Sequence, residues 1–404
     1  MESRFGWVDF AEEDRRRMME ILHLFGEHEI REELGIGTVR DAFSDTLFPG
    51  TSTLHTRAKY MLFVPWTFML LEKKEVHSRE IELRSREHEI SLINALLNTG
   101  EEEGVIGRIA RKSLKLLPSY MYWSGLGIWG IRRFGGSLQQ YFRSLDSFYT
   151  QRKNLVHSDD RDPVTISWHN WDPHIVTPPK GFPYEARLSL MFEEAEYLHD
   201  KILGNCTKSL LAHLVDKTGP SSVDFIWHHP GFSGFREDHQ RTVQHARNFS
   251  ELFYGASLLY NLMLSEKRKN EKLIDNYERD LATWSEEIRD RFYILKAWDL
   301  DDFWRIVLTQ EQHSIPIPTR RFVEAWIDIV KSHKGSRTLI HDKDARRLIY
   351  NREVRIKGKR SRLKNPQMLA HWAGASGASP LNFRWAIVQT IVNDILIGLN
   401  KGEP

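Results

Sequence analysis

The feature that most constrains the fold is a pair of long segments in which apolar residues recur at every third or fourth position. In 240–266 these residues are Val243, Ala246, Phe249, Phe253, Ala256, Tyr260 and Met263, and in 272–298 they are Tyr277, Leu281, Trp284, Ile288, Phe292 and Leu295. This spacing places apolar side chains on one face of an α-helix. Because only a short charged connection separates the two segments, we expect two long helices that pack antiparallel.

Helical patterns also extend through most of the remaining chain. We expect Thr38 to cap one short helix and Thr53 to cap the helix that carries the apolar run 60–71. Segment 80–97 is amphipathic, and a closing helix starts near Asn382. The sequence therefore predicts a mainly α, multi-helix globular protein with few short strands and a long Pro-rich central loop, and the best strand candidates are 164–168 and 354–356.

A proline-rich segment at 151–183 interrupts the helical pattern. Proline lacks an amide donor and restricts the residue before it, so we expect a long ordered loop there. A chain of 404 residues exceeds the size of one ordinary core. We therefore predict an N-terminal helical domain at 1–150, a Pro-rich connecting loop at 151–183, a central long-helix domain at 184–310, and a C-terminal basic region with the closing helix at 311–404.

Composition predicts a cytoplasmic protein. Hydrophobic residues make up 41% of the chain and charged residues 28%, as in globular proteins. The single cysteine, Cys206, excludes an internal disulfide and a multi-cysteine zinc site. The start of the chain lacks the apolar core of a signal peptide, and the run 60–71 is too short to span a membrane.

Positive charge is concentrated near the C-terminus. Residues 331–364 hold 13 Lys or Arg against 3 Asp or Glu, whereas the whole chain has a net charge of only +2. Such segregation is typical of a surface that binds a polyanion. The basic alternation around Gly358 fits a β-hairpin arm or an extended loop, and we expect Trp372, Phe383 and Trp385 to offer stacking surface for unpaired bases. The predicted phosphate-contacting residues are Arg352, Arg355, Lys357, Lys359, Arg360, Arg362 and Lys364.

A weaker anion-binding site is predicted just before the apolar run. Its residues are Thr51, Ser52, Thr53 and Arg57, which place hydroxyls, backbone amides and a guanidinium near a helix start. The alternative is that Thr53 only caps the helix and that Arg57 pairs with a nearby carboxylate.

Two glycine motifs match enzyme patterns only in part. Gly125 to Gly130 matches G-x-G-x-x-G, but no strand–helix context surrounds it and Trp129 crowds the loop, so we interpret it as tight helix packing. Ser376 lies in Gly-Ala-Ser-Gly-Ala, which lacks the final glycine and the preceding strand of a hydrolase nucleophile turn. We expect Ser376 to lie in a turn.

Histidines and aspartates are dense in the middle of the chain. They include His157, His169, His174, His228, His229, His239 and His245, with Asp159, Asp160, Asp162 and Asp172. These side-chain types bind zinc or manganese, but no strong ligand spacing such as H-E-x-x-H is present. We therefore predict no metal ligand and no cofactor. A carboxylate nuclease centre is disfavoured because Arg355 in Glu353-Val-Arg355 stands where a proton-accepting lysine is needed.

Several short motifs carry a resemblance to a known family. They include Phe5-Gly-Trp-Val-Asp-Phe10, Glu33-Leu-Gly-Ile-Gly-Thr38, Phe48-Pro-Gly-Thr-Ser-Thr53, Phe63-Val-Pro-Trp66 and Arg384-Trp385. With them, the chain resembles a bacterial family described only as a domain of unknown function. The resemblance spans most of the chain and implies a setting beside helicases and nucleases in phage-defence-like gene neighbourhoods. It supplies no active site.

The leading hypothesis from the sequence is a non-enzymatic protein that binds nucleic acid, DNA in preference to RNA, or scaffolds a complex, as an accessory component of a phage-defence system. Alanine at Arg355, Lys357, Lys359 and Arg360 is then expected to weaken binding and flatten its salt dependence. One alternative is that the basic block docks an acidic partner protein. The other is a metal-dependent hydrolase or nuclease that uses the His/Asp-rich middle segment.

Overall fold

Helices account for nearly all regular structure in the part of the chain that the structure describes. The computed structural model describes residues 33–156, 169–309 and 314–402. The α-helices of these residues are α1 (Gly37–Leu47), α2 (Tyr60–Lys73), α3 (Ile81–Asn98), α4 (Pro118–Ile128), α5 (Leu138–Val156), α6 (Phe192–Asn205), α7 (Leu210–Lys217), α8 (Glu237–Arg268), α9 (Glu271–Asp290), α10 (Phe292–Lys296), α11 (Leu300–Thr309), α12 (Ile317–His333), α13 (Lys343–Lys357), α14 (Pro366–Ala370) and α15 (Trp385–Asn400). The predicted mainly α fold class is confirmed.

Extended pairing is minimal in the same residues. They contain one isolated antiparallel bridge, between Arg132 and Trp171, and no strand. The strand predicted at 354–356 is wrong, because these residues form the end of α13. The other strand candidate, 164–168, lies outside the described residues.

The two long segments form the predicted antiparallel helix pair. Helix α8 has 32 residues and α9 has 20, and the Asn270 side chain caps α9 by accepting the Leu273 amide hydrogen bond at 3.2 Å. Trp284 Nε1 on α9 donates to the Glu251 carbonyl on α8 at 2.7 Å. Arg291, one residue past α9, also reaches Glu251. The predicted second helix therefore ends earlier than expected, because the chain leaves helical geometry at Arg291 and restarts as α10.

Gly255 on α8 permits a close approach between the two helices. A Cβ atom built there would lie 2.2 Å from the buried Trp284 indole, whereas a Cβ built on Gly204 of α6 has no neighbour within 4 Å. We expect Gly255→Ala to lower the free energy of unfolding by about 1–3 kcal/mol through overpacking. The same change at Gly204 is expected to raise it by about 0.5–1 kcal/mol, since alanine favours the helix. Urea denaturation of both variants checks the opposite signs, and two effects of equal sign would contradict this account.

Helix starts near the N-terminus do not use the predicted caps. Helix α1 begins at Gly37, with Thr38 inside it, and α2 begins only at Tyr60. Thr53 is exposed and lies seven residues before α2, so it does not cap that helix. The apolar run is buried in α2 almost throughout, and α3 ends near Asn98 as predicted.

The proline-rich segment packs against the N-terminal helices where it is described. Helix α5 continues to Val156, and 169–191 contains no helix. Asn170 Nδ2 and Trp171 Nε1 donate to Glu72 of α2 at 3.1 and 3.0 Å. These hydrogen bonds join the loop to α2, most of whose residues are buried.

Buried apolar side chains form one continuous cluster from Leu34 to Leu396. Long-range pairs cross the predicted domain boundaries: Arg57 before α2 forms a bidentate pair with Asp394 of α15, and Arg384 pairs with Asp45 of α1. The division at 150, 183 and 310 stays a prediction. Within the described ranges, no helix combines the length and the apolar character needed to cross a membrane.

Candidate nucleic-acid interface

The densest part of the basic block is a helix end followed by a tight turn. Asp342 caps α13 by accepting the Ala345 amide hydrogen bond at 2.7 Å, and the helix runs to Lys357. Gly358 has a φ of +53°, which L-residues rarely adopt, and it begins a short 3₁₀ turn that ends at Arg360. The predicted hairpin arm is therefore wrong, although Gly358 does make the predicted turn.

Arg352 points into the protein rather than into solvent. It is 7% exposed, and its guanidinium donates to the carbonyl oxygens of Leu34 at 2.7 Å and Gly35 at 2.9 Å. It also donates to Thr319 Oγ1 at 2.9 Å and lies over the Phe322 ring. These contacts join α13 to the segment before α1 and to α12, so this guanidinium is not available to a phosphate.

Lys357 and Arg362 are also held by internal carboxylates. Both pair with Glu33, and the Arg362–Glu33 distance is 3.0 Å. Arg362 further donates to Ser376 Oγ at 2.7 Å. Because Glu33 is buried, these two cations neutralise the charge of a desolvated carboxylate.

The other four predicted residues point outward. Arg355, Lys359, Arg360 and Lys364 are exposed, and their side chains form no ion pair or hydrogen bond with any residue that the structure describes. They lie on the last turn of α13, on the 3₁₀ turn and on the loop before α14. We call these four residues the basic turn.

A buried acceptor fixes the shape of the basic turn. Glu353 is fully buried, and its carboxylate accepts hydrogen bonds from Ser361 Oγ and from the Arg362 amide at 2.7 Å. Lys267 of α8 donates to the Leu363 carbonyl. The backbone that carries the four exposed cations is therefore held by interior contacts on both sides of Arg362.

The three aromatic residues expected to stack on bases are buried. Trp372 is 2% exposed, and Phe383 and Trp385 are 0% exposed. Trp385 Nε1 donates to the Val223 carbonyl at 3.0 Å, and Arg268 lies over the Trp372 ring. The predicted stacking surface is therefore wrong, since these rings belong to the core.

The predicted weak anion site has its polar groups occupied. Arg57 is paired with Asp394, Thr51 Oγ1 donates to the Phe48 carbonyl at 2.7 Å, and Ser52 Oγ accepts the Leu54 amide hydrogen bond at 3.3 Å. Thr53 remains exposed. The structure therefore favours the alternative in which Arg57 pairs with a carboxylate.

The described residues of the His/Asp-rich segment do not converge on one point. Among the described residues, no group of three or more His, Cys, Asp or Glu side chains is placed to hold a metal ion. Asp172 instead pairs with Lys201 at 2.6 Å and accepts the Tyr197 hydroxyl hydrogen bond at 3.1 Å, while His245 lies elsewhere against Asp302. Nearby cations and hydrogen bonds lower the pKa of Asp172 despite the opposing effect of burial. His157, Asp159, Asp160 and Asp162 lie outside the described residues.

Both glycine motifs have structural roles. Gly125 lies inside α4, where an added Cβ would lie 2.3 Å from the Gly50 carbonyl oxygen, so the motif is the tight helix packing that we predicted. Ser376 is buried in a turn, and its amide and carbonyl both bond to the Asn261 side chain at 2.9 Å.

Comparisons with known proteins identify the family. No curated protein and no solved structure matches the chain. The model of DUF6361, a family of unknown function, matches residues 2–396. Since this match covers nearly the whole sequence, it confirms the resemblance carried by the short motifs, and the chain belongs to the DUF6361 family of unknown function.

Proposed function

We propose that this protein is a cytoplasmic, non-enzymatic component of a bacterial phage-defence system that binds the phosphate backbone of nucleic acid, DNA in preference to RNA, through the basic turn. The observation that supports the proposal is the exposure of Arg355, Lys359, Arg360 and Lys364 without an internal counter-charge in the described residues. Lysine and arginine in this state release counterions from nucleic acid when they contact its phosphates.

The form of the turn supports sequence-independent binding. Phosphate contacts position a protein on nucleic acid but read no bases, and the aromatic side chains that we expected to stack on bases are buried. The fixed backbone at Glu353 also means that the four side chains need little ordering of the main chain when they bind.

The test is a variant with Gln at Arg355, Lys359, Arg360 and Lys364. We expect its affinity for labelled duplex DNA at low salt to fall by about tenfold or more on every sequence. If each cation neutralises one phosphate, the slope of log affinity against log salt becomes shallower by about 3–4. Fluorescence anisotropy over a salt series measures both quantities.

A matched variant removes the same charge from another surface. Lys73, Lys74, Arg79 and Lys112 are exposed and lie far from the basic turn in sequence. Their replacement with Gln is expected to leave affinity and salt slope nearly unchanged. Equal losses in both variants would show that binding depends only on net charge. No DNA binding by the unaltered protein at low salt would reject the proposal.

A further inference from the structure

A cleft lies on another part of the molecule, between the end of α7 and the residues before α8. Its volume is about 770 Å³, and it is lined by residues of 213–221 and 229–234. Small-molecule sites usually have volumes of about 300–1,000 Å³. The lining residues in the described part of the chain include His213, His229 and Lys217 but no Asp or Glu. The cleft therefore presents hydrogen-bond donors and no carboxylate.

His229 is held in one orientation. It is 5% exposed, and its ring packs against Phe235 and Trp385 with centroid distances of 5.4 and 5.9 Å. Its Nδ1 accepts the Gly231 amide hydrogen bond at 3.0 Å, so the neutral ring carries its proton on Nε2. That N–H has no acceptor among the described residues, and His229 lines the cleft.

His213 is the second imidazole of the cleft. It is half-buried, packs edge-on against Phe235 at 5.3 Å and His239 at 5.9 Å, and neither ring nitrogen bonds to a described residue. Burial lowers the pKa of both His213 and His229. The pKa of His213 is lowered further by His239, Lys217 and Arg236, whereas Asp216 raises it. Both rings are therefore mostly neutral near pH 7 when the cleft is empty.

We propose that this cleft binds a small ligand through an oxyanion, a phosphate or carboxylate group, held by His213 and His229 with Lys217 at the rim. Lys217 is largely exposed and pairs with Asp216 at 2.8 Å, so it can turn toward an anion at little cost. An anion beside His213 favours its charged form. Binding is then accompanied by proton uptake and strengthens as pH falls.

Sulfate is the first probe, because it keeps its double charge between about pH 5 and pH 8. We expect sulfate to shift the NMR signals of His213 and His229, to raise the pKa of His213, and to bind several-fold more tightly near pH 6 than near pH 8. His213→Ala and His229→Ala are each expected to weaken binding about tenfold, as for the loss of a hydrogen bond to a charged group. Inorganic phosphate and acetate, tested next, distinguish the two oxyanion classes.

Two controls make the outcome specific. His174→Ala removes a histidine whose side chain is 84% exposed and is expected to leave sulfate binding unchanged. The titration is repeated in the basic-turn variant, so that sulfate bound at the basic turn does not contribute. The cleft proposal is thereby tested independently of the nucleic-acid proposal. Histidine signals that none of the three anions moves, or a response that survives His213→Ala and His229→Ala together, would overturn the proposal.

Discussion

Replacing Glu353 with alanine is expected to lower the free energy of unfolding by about 3–5 kcal/mol, the usual cost of breaking a buried charged network by removing one partner. The carboxylate is fully buried and accepts from Ser361 Oγ and from the Arg362 amide, with Lys357 Nζ at 3.9 Å. Alanine leaves the Ser361 hydroxyl and the Arg362 amide without this acceptor, whereas Lys357 keeps its pair with Glu33. Urea denaturation followed by tryptophan fluorescence measures the change.

Arg347 offers a matched control on the same helix. Its pair with Asp344 spans 2.7 Å, and both side chains are at least 70% exposed. Exposed pairs of this kind contribute about 0–1 kcal/mol, so Arg347→Ala is expected to change stability little. Glu353→Gln keeps an acceptor but loses the charge, and its effect is expected to lie between the two. Equal destabilisation by Arg347→Ala and Glu353→Ala would show that Glu353 has no special role in holding the basic turn.

Acidification from pH 7 to pH 5 is expected to lower stability by about 2 kcal/mol through His55 alone. Burial lowers the pKa of His55 from 6.5 to about 3. The hydrogen bond of the His55 ring to the Met121 carbonyl at 3.1 Å raises this pKa, and the positive charge of Arg384 lowers it. Below about pH 6.5 the unfolded chain takes up a proton at His55 that the folded protein does not. Stability is therefore present above this pH and is lost as pH falls toward 3, at about 1.4 kcal/mol per pH unit.

The measurement compares urea denaturation at both pH values in the unaltered protein and in His55→Gln, which keeps an N–H donor and cannot titrate. The stability difference between pH 7 and pH 5 is expected to change by about 2 kcal/mol in the variant, whatever its absolute stability. His77→Gln alters a histidine whose side chain is 73% exposed and is expected to leave that difference unchanged. An unchanged difference in His55→Gln would show that the folded protein protonates this ring readily.

Glu89 is expected to act with the opposite sign. Burial raises the pKa of this carboxyl from 4.5 to about 7, although its hydrogen bond with Ser119 opposes the shift. Between about pH 7 and pH 4.5 the folded protein therefore holds a proton that the unfolded chain has released, so Glu89 adds stability as pH falls. The pH profile of the unaltered protein is a sum of both effects, which is why the variant comparison is needed to isolate His55.

Local sequence patterns predicted the helices and helix ends that depend on residues close in sequence. The spacing of Val243, Phe249 and Tyr260 identified α8, and the stop at Asn98 identified the end of α3, because helical periodicity and termination act within a few positions. The concentration of charge in 331–364 is likewise a property of the sequence itself. These features required no knowledge of which segments meet.

The interior roles of Arg352 and Arg362 were missed because their partners are remote in sequence. Arg352 contacts Leu34 and Gly35 more than three hundred positions away, and Arg362 pairs with Glu33. One local signal was present: Ala345, Ile349 and Arg352 follow the spacing of a buried helical face, which places this arginine among core residues. The alternation of charged and apolar residues around 354–356 instead led to the prediction of a strand, which is wrong because these residues are helical.

The sequence by itself determined a helical chain with a positively charged block near its C-terminus, since periodicity and charge are written along the chain. Only the tertiary structure decided which cations face solvent and which balance buried carboxylates, and that Trp372, Phe383 and Trp385 lie in the core. It also brought His213 and His229 to one cleft. Burial and ion pairing depend on which distant segments pack together, and the position of a charged residue in the sequence does not identify its partner.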